Sequence, residues 1–64
     1  MNTTEKLIAY ISNHNIQVET IAEATMIPKA MLKKMLAKER KINAEEFLII
    51  IQAINLPLSY FMGG

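Results

Sequence analysis

Apolar residues recur at helical spacing in four stretches of the 64-residue chain. A spacing of three or four residues is typical of a helix that buries one face. No stretch of useful length alternates strictly between apolar and polar residues, as a half-buried strand would. The residues expected to face inward are Leu7, Ile8 and Ile11; Ile21, Ala22 and Thr25; Leu32, Met35 and Leu36; and Phe47, Ile50, Ile51 and Ile54. The pattern predicts an all-α fold, a compact bundle of four helices with a short fifth.

Polar and helix-breaking residues indicate where the first helices begin and end. Thr3 and Thr4 are candidate N-caps of the first helix, and the polar cluster at 12–15 is expected to end it. The second helix is predicted over about 18–25. Pro28 suits the first turn of a third helix, because its φ is already helical and its ring disfavours helix at the residue before it. Two helices joined by a three-residue turn form the helix-turn-helix pattern.

The second half of the chain has equally clear boundaries. The third helix is predicted over about 28–38. Asn43 is expected to cap the fourth helix, and Glu46, three residues later, completes a capping box. Residues 55–57 should interrupt that helix, and residues 59–62 are expected to form the last helical turn.

Positive charge is concentrated in the stretch 28–41. Six of the seven basic side chains and one glutamate lie there, so its formal charge is +5, while the other fifty residues carry −4. The six are Lys29, Lys33, Lys34, Lys38, Arg40 and Lys41. A helix that buries one stripe and exposes lysines on another side can present positive charge to a polyanion. The alternative is an ordinary solvated surface, since lysines are common there.

The composition argues against most kinds of catalytic or metal site. There is no cysteine and one histidine, His14, so neither a disulfide nor a zinc site is expected. Glu45 and Glu46 are adjacent and point to different sides of their helix, which suits the helix dipole rather than acid–base catalysis. No nucleophile with a base and no phosphate-binding glycine loop is evident. We therefore expect no enzyme activity, no cofactor and no metal.

The chain is also expected to be a single domain, spanning 1–64, outside membranes. The longest apolar run is 47–51, far short of the roughly 20 residues that a membrane span needs. No basic region followed by an apolar run indicates a signal peptide. The absence of cysteine suits the reduced cytoplasm.

Three segments carry a resemblance to a known family: IAEATMI at 21–27, LKKMLAKERKINAEEFL at 32–48 and AINLPLSYFMG at 53–63. They resemble the phage-repressor-like (XRE-type) helix-turn-helix DNA-binding domains, in which a small Ala lies in the second helix, here Ala22. A basic loop then leads into a Ser-Ala-Glu-Glu-like run, here 43–46. The resemblance implies a bacterial or phage-encoded, sequence-specific regulator of transcription that binds double-stranded DNA, with repression as its expected mode.

The resemblance also implies which residues contact DNA. They are Gln17, Lys29, Ala30, Lys33, Lys34, Lys38, Arg40 and Lys41. The four on the third helix would face the major groove, where lysine donates to guanine and alanine contacts the thymine methyl. The three after that helix would bind phosphate, which positions the domain without reading sequence. Gln17 would reach a phosphate or an adenine edge from the start of the second helix.

Four positions depart from the family pattern. Met26 and Lys38 stand where the family usually has glycine, and the turn position of Met26 often takes a positive φ, which costs a residue with a Cβ about 1 kcal/mol or more. Val18 and Pro28 stand where the family often has Gln and Ser. They supply no side-chain donor, which favours an alternative: a protein-interaction module, such as an antirepressor, an antitoxin-like partner or an assembly domain. The +5 stretch opposes that alternative.

The fourth helix carries an isoleucine outside its buried stripe. Ile49 lies roughly 100° from Ile50 on a helical wheel. We expect it to join Leu56, Leu58 and Phe61 in an apolar patch that buries itself against a second copy, giving a homodimer across a two-fold axis. The alternative is one isolated exposed apolar residue, which is common.

Overall fold

Four α-helices and a final 3₁₀ turn make up the computed structural model, which describes residues 2–62. They are α1 (Thr3–Asn13), α2 (Val18–Thr25), α3 (Lys29–Leu36), α4 (Ala44–Ala53) and the 3₁₀ turn (Leu58–Phe61). Residues 2–62 contain no strand, so the predicted all-α fold is confirmed. The Cα radius of gyration is 10.8 Å, close to the roughly 10.5 Å of a compact domain of this size.

One hydrophobic core joins the helices, and each α-helix contributes to it. Its buried members are Leu7, Ile11, Ile21, Leu32, Met35, Ile50, Ile51 and Leu56. The predicted stripes therefore supply the core, while their outer members Ala22, Leu36, Phe47 and Ile54 are only partly buried beside it. Because α2 packs against both α3 and α4, the side of α3 that faces the core is fixed.

The first helix is capped one residue earlier than expected. Asn2, not Thr3 or Thr4, is its N-cap: the Asn2 Oδ1 accepts from the Glu5 N–H at 2.8 Å, and the Glu5 Oε1 accepts from the Asn2 N–H at 3.2 Å. A glutamate three residues after the cap completes this reciprocal box, and for Thr3 or Thr4 that position is held by Lys6 or Leu7. The capping box therefore decides where the helix begins.

The capping box predicted for α4 is confirmed. The Glu46 N–H donates to the Asn43 Oδ1 at 2.8 Å, and the Asn43 N–H donates to the Glu46 Oε1 at 3.0 Å. The last turn is a 3₁₀ helix over Leu58–Phe61, one residue earlier than predicted, because Pro57 occupies the position before its first residue and its carbonyl accepts from the Tyr60 N–H at 3.0 Å.

Each α-helix is followed by one residue in the left-handed region. These residues are Asn15, Met26, Lys38 and Asn55, with φ of 51°, 65°, 65° and 57°. After α1, α3 and α4 the chain closes a Schellman motif, with the N–H groups of Ile16, Glu39 and Leu56 donating to the carbonyls of Ile11, Lys34 and Ile51 at 3.0, 2.8 and 2.8 Å. The positive φ expected at Met26 is confirmed.

A buried threonine holds the turn between α2 and α3. The Thr25 Oγ1 donates to the Ile21 carbonyl at 2.7 Å and accepts from the Ile27 N–H at 3.2 Å. Since the hydroxyl is satisfied on both sides, Thr25 is buried at little cost. It ties the last turn of α2 to the segment that leads into α3, and so fixes how the two helices meet.

Leu56 lies in the core and not on the surface patch expected for it. The Schellman closure after α4 turns the chain back at this point, and the Leu56 side chain is left only 7% exposed. A residue buried in its own domain cannot form an interface with a second copy. The predicted dimer surface therefore loses Leu56.

Candidate nucleic-acid interface

The outer side of α3 is polar, basic and open to solvent. Lys29, Ala30, Lys33 and Lys34 are all exposed, and on a 3.6-residue helix they span an arc of about 140°. Leu32 and Met35, on the opposite side, are buried. The predicted division of α3 into a buried side and an exposed lysine side is therefore confirmed. Packing of the buried side against the core keeps the lysines facing solvent.

The basic loop after α3 is contiguous with this face. Pro28, Ala30, Met31, Lys34 and Arg40 line one shallow groove, which brings the helix and the loop together. A second concavity collects Lys38, Arg40 and Lys41 beside the start of α1. Arg40 lines both concavities, so five of the predicted contact residues share one connected surface: Ala30, Lys34, Lys38, Arg40 and Lys41.

Gln17 lies apart from those grooves. It is the exposed N-cap residue of α2 and makes no side-chain capping hydrogen bond. Its side chain lines a separate cleft with Ile16 and Leu36. Pro28, at the start of α3, likewise provides no side-chain cap, so α2 and α3 both begin with backbone N–H groups that no capping side chain occupies.

Three of the six basic side chains are paired with carboxylates. Lys29 lies 3.5 Å from Glu19, measured from Nζ to Oε2. Between the same atoms, Lys38 lies 3.6 Å from Glu5. The Arg40 Nη1 lies 3.2 Å from the Glu46 Oε2. Charge counted along the chain does not reveal these pairs, because the fold brings the partners together.

Two of these acids remain ionised more readily than a free carboxyl. Hydrogen bonding to its own backbone, reinforced by the positive charge of Lys29, holds the pKa of Glu19 below its ordinary value. The cap hydrogen bond from Asn2, with Lys38 nearby, lowers the pKa of Glu5 in the same way. Both carboxylates therefore stay negative beside the lysines at neutral pH.

The Arg40 guanidinium is used in hydrogen bonds within the domain. Its Nη1 donates to both carboxylate oxygens of Glu46, at 3.3 and 3.2 Å, and to the Lys41 carbonyl at 3.4 Å. Glu46 is at the same time the capping partner of Asn43. Arg40 thus ties the basic loop to the start of α4 and holds the backbone at Lys41, a role that the sequence did not reveal.

The other three basic residues of the stretch 28–41 supply the positive charge that a ligand could reach. Lys33, Lys34 and Lys41 are exposed, and within residues 2–62 none of them forms an ion pair. Two project from α3 and one from the loop. A phosphate reaching this surface would meet these three ammonium groups without first displacing a carboxylate.

The predicted dimer surface is only partly exposed. Ile49 and Leu58 are exposed, as the prediction requires. Phe61 is partly buried and packs edge-to-face on Phe47, with ring centroids 5.0 Å apart. Leu48, also exposed, lies on α4 outside the predicted patch.

An aromatic row joins the last turn to α1 and α4. Tyr60 meets Tyr10 edge-to-face at 5.3 Å and Phe61 at 5.1 Å. Beyond Tyr10, the His14 ring stacks at 4.0 Å, and its Nδ1–H donates to the Tyr10 carbonyl, 3.0 Å away. The row holds His14 against its own helix, so the single histidine has a structural place.

Two further classes of site find no support in the described residues. Within residues 2–62, no group of three or more His, Cys, Asp or Glu side chains is arranged to hold a metal ion. None of the helices in that range has the length and apolar character needed to cross a membrane.

No protein-family model, curated protein or solved structure matches this chain.

Proposed function

We propose that this chain is a sequence-specific DNA-binding regulator of transcription, acting in the cytoplasm as a repressor. In this proposal α2 and α3 form a helix-turn-helix of the phage-repressor (XRE) type, and α3 enters the major groove. The observation that carries it is the outer side of α3, where Lys29, Ala30, Lys33 and Lys34 are exposed while the opposite side is locked into the core.

The ion pairs support different roles for the proposed contact residues. Lys33 and Lys34 are unpaired on the outer side of α3, so they are the strongest candidates for donation to guanine O6 and N7. Lys41 is the strongest candidate for phosphate contact. Lys38 can also bind phosphate, but only if its ion pair with Glu5 breaks. Arg40 acts mainly by positioning the loop rather than by binding phosphate.

The helix starts support the same orientation. Both α2 and α3 begin without a side-chain cap, whereas α1 and α4 each begin with a capping box. Free N–H groups at a helix start are suited to a phosphate oxygen. These starts add to the lysine surface and are not a site by themselves.

The test is the salt dependence of binding to duplex DNA. The slope of log K against log salt should be about −0.9 per domain from Lys41 alone, and about −1.8 if Lys38 leaves Glu5 to contact a second phosphate. Lys41→Ala should reduce the magnitude of that slope by about 0.9 and weaken all duplexes alike. Lys6→Ala removes the only basic residue outside 28–41 and serves as the matched control. A Lys41 variant whose slope equals that of the parent would remove the loop from the interface.

Base reading needs a separate measurement. Lys33→Ala or Lys34→Ala should relax the preference at particular base pairs in duplexes selected by the parent. The loss should lie near the lower end of about 1–3 kcal/mol, because lysine is a flexible point charge. If both variants keep the full preference of the parent, α3 is not the reading helix.

We further propose that the protein binds DNA as a homodimer. Exposed Ile49 and Leu58 would supply the apolar contact between the two copies. The partly buried Phe61 would pack beneath these two side chains within each copy. Sedimentation of the parent and of Ile49→Lys at micromolar concentration tests this, with Gln52→Lys, exposed on the same helix, as the control for added charge. A parent that stays monomeric both alone and on a palindromic duplex would contradict the dimer.

One observation favours a second function, a protein-interaction module. Met26 is 86% exposed and has φ 65°. Its apolar side chain therefore buries almost no surface within the domain. A contact with a partner protein would account for it. The salt experiment separates the two functions, because the interaction module predicts no measurable affinity for duplex DNA even at low salt.

A further inference from the structure

A glutamate lies within the proposed reading surface. Glu19, in the first turn of α2, lies 3.5 Å from Lys29, the first residue of α3, and their side chains are 59% and 49% exposed. Lys33 also acts on this carboxylate electrostatically. Since both partners are about half exposed, each keeps hydrogen-bonding capacity that the ion pair does not use.

The chemistry of DNA restricts what this carboxylate can contact. An ionised carboxylate only accepts hydrogen bonds, and phosphate oxygens repel it. The groups that donate in the major groove are the exocyclic amino groups, N4 of cytosine and N6 of adenine. Any duplex that docks on α3 must therefore offer Glu19 an amino group or lose affinity.

The edge of one base pair can match the ion pair. Every base pair presents an amino donor beside a carbonyl acceptor in the major groove, either cytosine N4 beside guanine O6 or adenine N6 beside thymine O4. Because these atoms are hydrogen-bonded to each other, they lie about 3 Å apart. The Lys29 Nζ and the Glu19 Oε2 offer the complementary donor and acceptor at 3.5 Å. Resting on the DNA-binding function above, we propose that Glu19 is a specificity-determining residue that, with Lys29, selects an amino base, cytosine or adenine, on one strand at one position.

This arrangement selects chiefly by rejection. Where the carbonyl of guanine or thymine faces Glu19 in place of the amino donor, the carboxylate is desolvated without a partner, which is unfavourable. The residue therefore lowers affinity for duplexes with guanine or thymine at that place and leaves those with cytosine or adenine nearly unaffected. Its removal should strengthen binding to arbitrary DNA while weakening discrimination.

The experiment compares the parent with Glu19→Ala in a selection from random duplexes, followed by affinity measurements on the selected site and on an unrelated duplex. The parent should prefer cytosine and adenine over guanine and thymine on one strand at one position by about fivefold or more. Glu19→Ala should lose that preference and bind the unrelated duplex about threefold more tightly, as expected for removing one charge roughly 7 Å from a phosphate.

Glu23→Ala is the matched control. Glu23 is exposed on the same helix, and within residues 2–62 it forms no ion pair, so its removal changes the net charge equally. It should leave the preference for cytosine and adenine intact. Circular dichroism of all three proteins confirms that the fold is retained.

The outcomes separate the two proposals. If the parent binds duplexes with a preference and Glu19→Ala keeps all of it, this inference is overturned and the DNA-binding function stands. An affected position that separates G·C from A·T in both strand orientations likewise overturns the assignment to an amino base. If the parent binds no duplex, both proposals fail.

Discussion

Replacing Met26 by glycine should stabilise the domain. The left-handed backbone at this residue, φ 65° and ψ 15°, costs an L-residue with a Cβ roughly 1–2 kcal/mol relative to glycine. The side chain is 86% exposed, so removing it forfeits little burial. Glycine loses more backbone entropy on folding, roughly 0.5–1 kcal/mol. The net gain expected for Met26→Gly is therefore about 0.5–1 kcal/mol.

Thermal unfolding followed by circular dichroism measures this effect. A change of 1 kcal/mol moves the melting temperature by about 4–8 °C in a domain of this size, so Met26→Gly should melt about 2–8 °C above the parent. Urea unfolding provides an independent value, and an unchanged m-value would show that the compactness of both states is preserved.

Two control variants isolate the backbone contribution. Met26→Ala removes the same exposed side chain but keeps the Cβ, and should lie within about 0.5 kcal/mol of the parent. Ala24→Gly places glycine at an exposed helical position of α2 and should destabilise by about 0.5–1 kcal/mol. A Met26→Gly protein that melts no higher than Met26→Ala would refute the argument that the left-handed turn is strained.

Three further predictions concern the ion pairs and the core. Arg40→Ala should destabilise the domain by about 1–2 kcal/mol in urea unfolding, because Glu46 loses a charged hydrogen-bond partner, and it should leave the salt slope of DNA binding close to that of the parent. The depressed pKa values of Glu5 and Glu19 mean that their stabilisation is present above the ordinary carboxyl range and is lost as pH falls through and below it, so a double Gln variant should show a weaker acid dependence of melting temperature. Leu32→Ala should cost about 2–5 kcal/mol and leave the domain largely unfolded by circular dichroism.

The helices of this fold were predictable because their signals are local. Apolar spacing and the Asn43 capping box depend on residues within one or two turns of each other, so the sequence carries them directly. The predicted start of α1 is one residue late, because Asn2 and Glu5 form a capping box of the same kind as Asn43 and Glu46. A glutamate three residues after an asparagine is a local signal that the sequence carries at both helix starts.

The ion pairs and the burial of Leu56 could not be read from local patterns. Glu5 and Lys38 are far apart in sequence, and they meet only because α1 packs beside the end of α3. Leu56 follows a helix and precedes a proline, which suggests an exposed connection. The left-handed residue Asn55 instead turns the chain back onto the core, and only the completed fold determines this.

The charge that this surface offers to DNA is smaller than a count along the chain implies. Of six basic side chains in 28–41, three lie within 3.6 Å of a carboxylate, which leaves Lys33, Lys34 and Lys41. Three free lysines, of which only Lys41 is proposed to contact phosphate, support only weak binding at physiological salt, because affinity in this range is dominated by the number of counterions released. Two copies joined across a two-fold axis would present six such lysines, and the second copy would bind at a high effective concentration once the first is in place. The proposed homodimer and the proposed DNA binding therefore depend on each other. This face is weakly charged for a single domain, and pairing would supply the affinity that the proposed repressor needs.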